Sequence, residues 1–165
     1  MPLQSVMLEQ LATSRRIVED GHEVVPRWTI GAAEGAFAVM TRFDPDKAEQ
    51  RERALHLISR FMDWKLATWF VLSAETWIGS EGTRGGDEAL LSVGVARTGC
   101  LGVMQRILRL RALEFGPPEW VSADLLDPIY LTLLPVQTST VTVGEAQALA
   151  AIFAESGELP ARELS

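Results

Sequence analysis

The sequence is poor in the residues that most often carry chemistry. It has one cysteine, Cys100, and two histidines, His22 and His56. A single cysteine excludes an internal disulfide and the zinc-deaminase pattern, which needs a pair of cysteines after H-x-E, and it is typical of a reducing compartment. The histidines lie far apart without a metal-ligand pattern, so we expect no metal and no cofactor.

Nucleotide-binding and hydrolase motifs are missing too. The chain has no G-x-x-x-x-G-K-[ST] loop, no G-x-G-x-x-G turn and no G-x-S-x-G elbow. The stretch GTRGG at 82–86 is not followed by the lysine and hydroxyl that hold phosphate and magnesium, so we interpret it as a solvent loop.

No stretch approaches the roughly 18–20 apolar residues that a membrane-spanning helix needs. The opening MPLQSVMLEQLATSRR has no basic region followed by an apolar run, so no secretory signal is predicted. The sequence therefore predicts a cytoplasmic protein without membrane contact. Its net charge of −7 opposes general binding to nucleic acid.

Three amphipathic stretches predict helices. One lies within 1–21, at the N-terminus, and is expected to dock on the rest of the chain. A second covers 45–65, because Asp44 can cap it and proline suits the first helical position. A third covers 144–156, near the C-terminus.

Short apolar runs between these helices predict strands. A hairpin is expected around 31–35, and two strands over 67–78 and 88–97 flank the glycine-rich loop. The run 104–115 favours a strand with one face in water, and a helix stays open there. The pattern predicts one α+β domain over 1–165, with a largely antiparallel sheet of about four to five strands packed with helices.

The stretch WFVLSAETWIG, at 69–79, places a carboxylate between two tryptophans. Side chains alternate along a strand, so one face of this strand is almost wholly apolar. We predict that the helix over 45–65 packs on that face. The other face carries Trp69, Ser73, Glu75 and Trp77.

If the strands over 67–78 and 88–97 pair, the small side chains of the second strand, Ser92 among them, lie beside the tryptophans. Either the tryptophans fill that space, or the space is a shallow pocket with Glu75 in its floor. An unpaired buried carboxylate is costly, so Glu75 needs a donor, water or a raised pKa. The candidate donors are Lys65, Arg84, Arg97, Arg109 and Arg111.

The same pairing puts Glu75 and Glu88 on one face, as general acid–base chemistry would require. We therefore take Glu75 and Glu88 as the catalytic candidates. The candidate ligand or contact surface consists of Trp69, Ser73, Glu75, Trp77, Ser92, Arg109 and Arg111.

A basic stripe without an acid runs from 97 to 111 and contains Arg97, Arg106, Arg109 and Arg111. A solvated face, or contact with the protein's own acids, explains this stripe first. Nucleic-acid contact is the weaker interpretation, because no aromatic residues alternate with the arginines.

Two stretches, VEDGHEVVPRWTIGAAEGAF and ATWFVLSAETW with the following EALLSVGV, resemble a widespread family of small uncharacterised bacterial and phage proteins. The similarity spans roughly residues 10–97, and its most specific part is the strand that ends in Ser-Ala-Glu-Thr-Trp. In that family the strand commonly ends in a Ser-Glu-aromatic motif, from which Ala74 and Thr76 depart. The resemblance implies an α+β order and no particular reaction.

An apolar chain with five tryptophans and no convincing catalytic set favours a non-enzymatic interaction or assembly module. We expect it to bind a second copy or another protein through tryptophan-bearing apolar surface. The alternative is a small-molecule-binding protein or enzyme that uses Glu75 in a tryptophan-lined pocket.

Overall fold

The computed structural model describes residues 3–41, 47–78, 87–135, 140–155 and 163–164. Its helices are α1 Leu3–Glu19, α2 Ala48–Lys65 and α3 Val143–Glu155. Its strands are β1 Arg27–Ala32, β2 Gly35–Met40, β3 Trp69–Ile78, β4 Asp87–Ala96, β5 Gly99–Arg109, β6 Leu113–Phe115, β7 Glu119–Val121 and β8 Glu163–Leu164. Two short 3-10 helices, Ala123–Leu125 and Pro128–Thr132, precede α3.

The strands form one antiparallel sheet in the order β6-β5-β4-β3-β1-β2-β8, and β7 pairs with β5 off this path. The predicted α+β fold with a largely antiparallel sheet is confirmed. The sheet is wider than four to five strands, because the short strands β6, β7 and β8 extend its edges. The run 104–115 is strand, as favoured, but it divides between β5 and β6.

The helices lie on both faces of the sheet. α1 covers β3, β4 and β5 on one face. On the other face α2 contributes Ile58, Phe61 and Met62 to a core with Phe70 and Leu72 of β3, and α3 adds Leu149 to the same core. The prediction that the central helix packs on the apolar face of β3 is therefore correct.

Local hydrogen bonds fix the helix ends. The predicted α2 start at Asp44 and Pro45 lies outside the described residues, and the described helix begins at Ala48 after an extended Lys47. At the other end Leu66 adopts φ 52°, ψ 50°, and the N–H groups of Leu66 and Ala67 donate to the carbonyls of Asp63 and Met62. α3 begins where the Thr142 hydroxyl accepts the Glu145 N–H at 3.2 Å.

Within the described ranges, none of the helices is both long enough and apolar enough to cross a membrane.

Candidate functional site

The register between β3 and β4 places the candidate residues as alternation predicts. Ser73 lies opposite Ser92, and Trp77 lies opposite Glu88. Val71, between Trp69 and Ser73 on the same face, belongs to the core beneath α1. The face that carries Glu75 is therefore the α1 face of the sheet, opposite to α2.

α1 occupies most of the space beside the small residues of β4. A Cβ built on Gly94 would lie 2.5 Å from the Met7 sulfur, so Gly94 makes room for this helix. Ser73 and Ser92 are fully buried beneath α1, with their hydroxyl oxygens 3.4 Å apart. These serines are packed against one another in the interior, with no opening to solvent at that point.

Trp69 packs onto the neighbouring strand. A Cβ built on Gly31 of β1 would lie 1.9 Å from the Trp69 indole, so the ring covers this glycine. An aromatic ring over a glycine of the adjacent strand restores the side-chain contact that glycine lacks. Trp69 therefore contributes to the packing of β1 against β3.

Glu75 lies in the second half of β3, beyond the buried residues of that strand, and it is exposed. Its carboxylate makes no hydrogen bond or ion pair within the described part of the chain. Partial burial nevertheless raises the pKa of Glu75. The negative charges of Glu88 and Glu23 raise this pKa further, and the positive charge of Arg109 lowers it.

The arginine that lowers the pKa of Glu75 is already engaged in an ion pair. Arg109 Nε donates to Glu88 Oε2 at 2.6 Å, on the same face as Glu75. The other candidate donors lie elsewhere: Arg97 and Arg111 lie in turns outside the strands, Lys65 pairs with Glu34, and Arg84 lies outside the described residues. Glu75 is therefore a solvent-exposed carboxylate, and the arginine that lowers its pKa is paired with Glu88.

The basic stripe does not form a continuous positive surface. Arg106 lies 3.3 Å from Asp87 and 3.8 Å from Glu119. Together with the Arg109–Glu88 pair, these contacts neutralise the strand part of the stripe with the protein's own acids. Arg97 and Arg111 are exposed at opposite ends of β5.

The chemistry available here is that of carboxyl groups. Glu75 and Glu88 lie on one face and interact electrostatically, but Glu88 is held by Arg109. Burial raises the pKa of the Cys100 thiol, which disfavours the nucleophilic thiolate. In the ranges that the structure describes, no three of the His, Cys, Asp and Glu side chains are grouped to hold a metal ion.

Three polar side chains on the α1 face of the sheet were not predicted from the sequence as candidate site residues. Gln10 Oε1, Arg27 Nε and Thr29 Oγ1 are buried and have no hydrogen-bond partner among the described residues. The stretch RWTIGA carries a signal for two of them, because Arg27 and Thr29 alternate with the apolar Trp28 and Ile30. No local pattern marks Gln10, whose burial depends on where α1 docks.

Comparison with known proteins gives no relative: no protein-family model, no curated protein and no solved structure matches this chain. The resemblance to the bacterial and phage family stays a prediction from the sequence.

Proposed function

We propose that this protein is a non-enzymatic interaction or assembly module that binds a second copy of itself. The observation that carries the proposal is α3, an apolar helix that the chain leaves largely uncovered. Among the α3 side chains that the structure describes, over 143–152, Leu149 is the buried apolar one, at 3% exposure, whereas Val143 is 76% exposed. An apolar helix is normally buried, so the outer side of α3 is suited to a partner.

Further apolar side chains lie on the same side of the sheet. The 3-10 helices next to α3 carry Leu125, 79% exposed, and Leu131, 53% exposed. They pack through Leu126 and Tyr130 on the core that also receives Leu149. We call the exposed set Leu125, Ile129, Leu131, Val143 and Ile152 the α3 surface.

Charge favours a second copy as the occupant of the α3 surface. The chain carries a net charge of −7, so two copies repel each other wherever their acidic surfaces meet. From 128 to 152 the sequence has one charged residue, Glu145, and Arg60 neutralises it with two hydrogen bonds. Within 128–152 a symmetric dimer brings no unpaired like charges together, whereas Leu125 has the exposed Asp124 and Asp127 as neighbours in the chain.

The contacts of Glu75 and Glu88 also support a non-enzymatic role, although less directly than the α3 surface does. General acid–base catalysis needs a second group that is positioned with Glu75 on a substrate. Glu88, the catalytic partner candidate, is instead held by Arg109 at 2.6 Å. Among the described residues, this pairing leaves Glu75 without a second acid or base that could act with it on a substrate.

Light scattering after gel filtration tests self-association. We expect a mass near twice 18.1 kDa at high concentration and dissociation on dilution. The double variant Val143→Glu/Ile152→Glu should be monomeric, because it puts four like charges into a symmetric interface. Leu110→Glu is the matched control, since Leu110 is 91% exposed in the turn between β5 and β6 and lies outside the α3 surface.

A mass of one chain at every concentration would contradict the self-association proposal. A dimer that persists in the double variant would retain self-association and reject the α3 surface as its site.

The second candidate is a small-molecule-binding protein that uses Glu75. The raised pKa of this exposed, unpaired carboxylate favours it. A thermal-shift screen against a ligand library should then give a hit that Glu75→Gln removes. No hit, together with an unchanged or higher Tm for Glu75→Gln, leaves this candidate without support.

A further inference from the structure

Three polar side chains meet the α1 face of the sheet without partners. Thr29 is 2% exposed and Gln10 is 9% exposed, and neither Thr29 Oγ1 nor Gln10 Oε1 makes a hydrogen bond among the described residues. Arg27 is partly buried, and its Nε is likewise unpartnered. A buried polar atom without a partner costs stability, so the cluster needs an explanation.

The register places Arg27 and Thr29 beside one another. Arg27 lies opposite Ser73 and Thr29 opposite Val71, so both side chains are on the α1 face of β1. Residues two apart on a strand project in the same direction, about 7 Å apart. Thr29 and Arg27 therefore lie along one edge of the area that α1 covers.

The rotation of α1 directs Gln10 towards that edge. Met7 packs on Gly94 of β4, and Arg15 lies over the Phe115 ring of β6, 4.7 Å from its centre. At 3.6 residues per turn, Gln10 lies on the side of Met7 away from Arg15. That side faces β3, and β1 with Thr29 is the next strand beyond it.

Arg27 is a partly buried cation. It forms no ion pair with a described residue, although the chain carries a net charge of −7. A guanidinium presents N–H donors in a geometry that matches a carboxylate. The Thr29 hydroxyl can donate as well, and the Gln10 amide presents either its oxygen or its NH₂ group, since the two are interchangeable by rotation.

We propose that Gln10, Arg27 and Thr29 bind the carboxylate of a small monoanionic ligand. A single guanidinium balances one negative charge. Glu75 follows Ser73 on the same face of β3, and Glu23 acts on it electrostatically, so these charges oppose a second negative charge on the ligand, as in phosphate. The Trp69 indole, which covers Gly31 two residues after Thr29, provides an aromatic boundary for the carbon part of the ligand.

This site is independent of self-association, because α1 and the α3 surface lie on opposite faces of the sheet. It also differs from the pocket expected from the sequence, since Arg27 replaces Glu75 as the group that contacts the ligand.

NMR titration of the full chain with sodium acetate and sodium benzoate tests the proposal. The Arg27 Nε–H resonance, assigned by its loss in Arg27→Gln, should shift saturably with either salt. Benzoate should bind more tightly than acetate and also shift the Trp69 indole resonance. The neutral isostere benzamide and inorganic phosphate should each bind at least tenfold more weakly than benzoate.

Arg27→Gln should weaken benzoate binding at least tenfold, whereas the control Arg16→Gln, on the exposed side of α1, should not change it. Thr29→Val keeps the shape of the side chain and removes the unpaired hydroxyl. It should weaken benzoate binding and raise the Tm by about 2–4 °C, a combination that a purely structural hydroxyl would not give.

Absence of a saturable shift at the Arg27 Nε–H would overturn the proposal and leave interior water as the partner of these atoms. Benzoate binding that is unchanged in both Arg27→Gln and Thr29→Val would overturn it equally, by placing the ligand elsewhere.

Discussion

Arg60 of α2 and Glu145 of α3 form a bidentate ion pair. Arg60 Nε lies 2.6 Å from Glu145 Oε1, and its Nη2 lies 2.7 Å from Oε2. The same guanidinium also donates to Asp63 at 2.8 Å and to Thr140 at 2.9 Å. Arg60 thus links α2, α3 and the segment that leads into α3.

Arg60→Lys should lower the Tm almost as much as Arg60→Ala, because an ammonium group cannot reproduce the planar two-pronged contact. The side chains of Arg60, Asp63 and Glu145 are 20–36% exposed. Water therefore still screens these charges in part, and the loss should be about 2–4 °C. Thermal unfolding followed by circular dichroism measures it. Full stability in Arg60→Lys would show that the charge alone is sufficient.

The same pair makes stability depend on pH. The hydrogen bond from Arg60 lowers the pKa of Glu145 below its usual range. A carboxylate with a lowered folded pKa contributes stability above the unfolded value, about 4.3, and that contribution is lost as the pH falls through the folded value. Glu145→Gln should therefore be less stable than wild type at pH 7, with the difference shrinking in acid. A difference that is constant from pH 7 to pH 3 would contradict this.

The contribution of Glu75 to stability should depend on pH in the opposite direction to that of Glu145. Burial and the charge of Glu88 raise the pKa of Glu75, so the folded state holds this proton more tightly than the unfolded chain does. Stability then falls as the pH rises from the unfolded value, about 4.3, through the raised folded value. Glu75→Gln should be more stable than wild type at pH 7 and equal to it at pH 3. Denaturant unfolding at the two pH values measures both.

Leu66 should tolerate glycine with a gain in stability. It is the one described non-glycine residue with a positive φ, 52°, and it is 45% exposed. The left-handed region costs a residue with a Cβ about 1–2 kcal/mol, part of which is offset because glycine is more flexible in the unfolded chain. Leu66→Gly should raise the free energy of unfolding by up to about 1 kcal/mol. A lower value would mean that the Leu66 side chain contributes more than its exposure indicates.

Gly94→Ala should be destabilising because of the helix above it. Its new Cβ would lie 2.5 Å from the Met7 sulfur, and overpacking of this kind costs about 1–3 kcal/mol. Met7→Ala should relieve that clash, so the two losses should not add in the double variant. Gly144→Ala is the control, since a Cβ there meets nothing within 4 Å. Additive losses at Gly94 and Met7 would contradict the contact between them.

The central strands could be predicted because their signals are local. Alternation in WFVLSAETWI assigns Glu75 and Phe70 to opposite faces, and the register between β3 and β4 agrees. The short edge strand β7 was not predicted, and β6 was not distinguished from β5 within the predicted run 104–115. A three-residue strand has too few side chains to show alternation, and it becomes a strand only because β5 offers an unpaired edge.

By itself the sequence determined the periodicities: the apolar stripe of α2, the two faces of β3 and the uncharged run around α3. Each is set by neighbours along the chain, which fix the direction of every side chain once the element forms. Only the tertiary structure decided that α1 covers the face of Ser73 and Ser92, while the Arg27 Nε and the Thr29 hydroxyl stay unpartnered. An amphipathic helix can pack on any apolar face of matching shape, and the match between Met7 and Gly94 exists only between residues far apart in the chain.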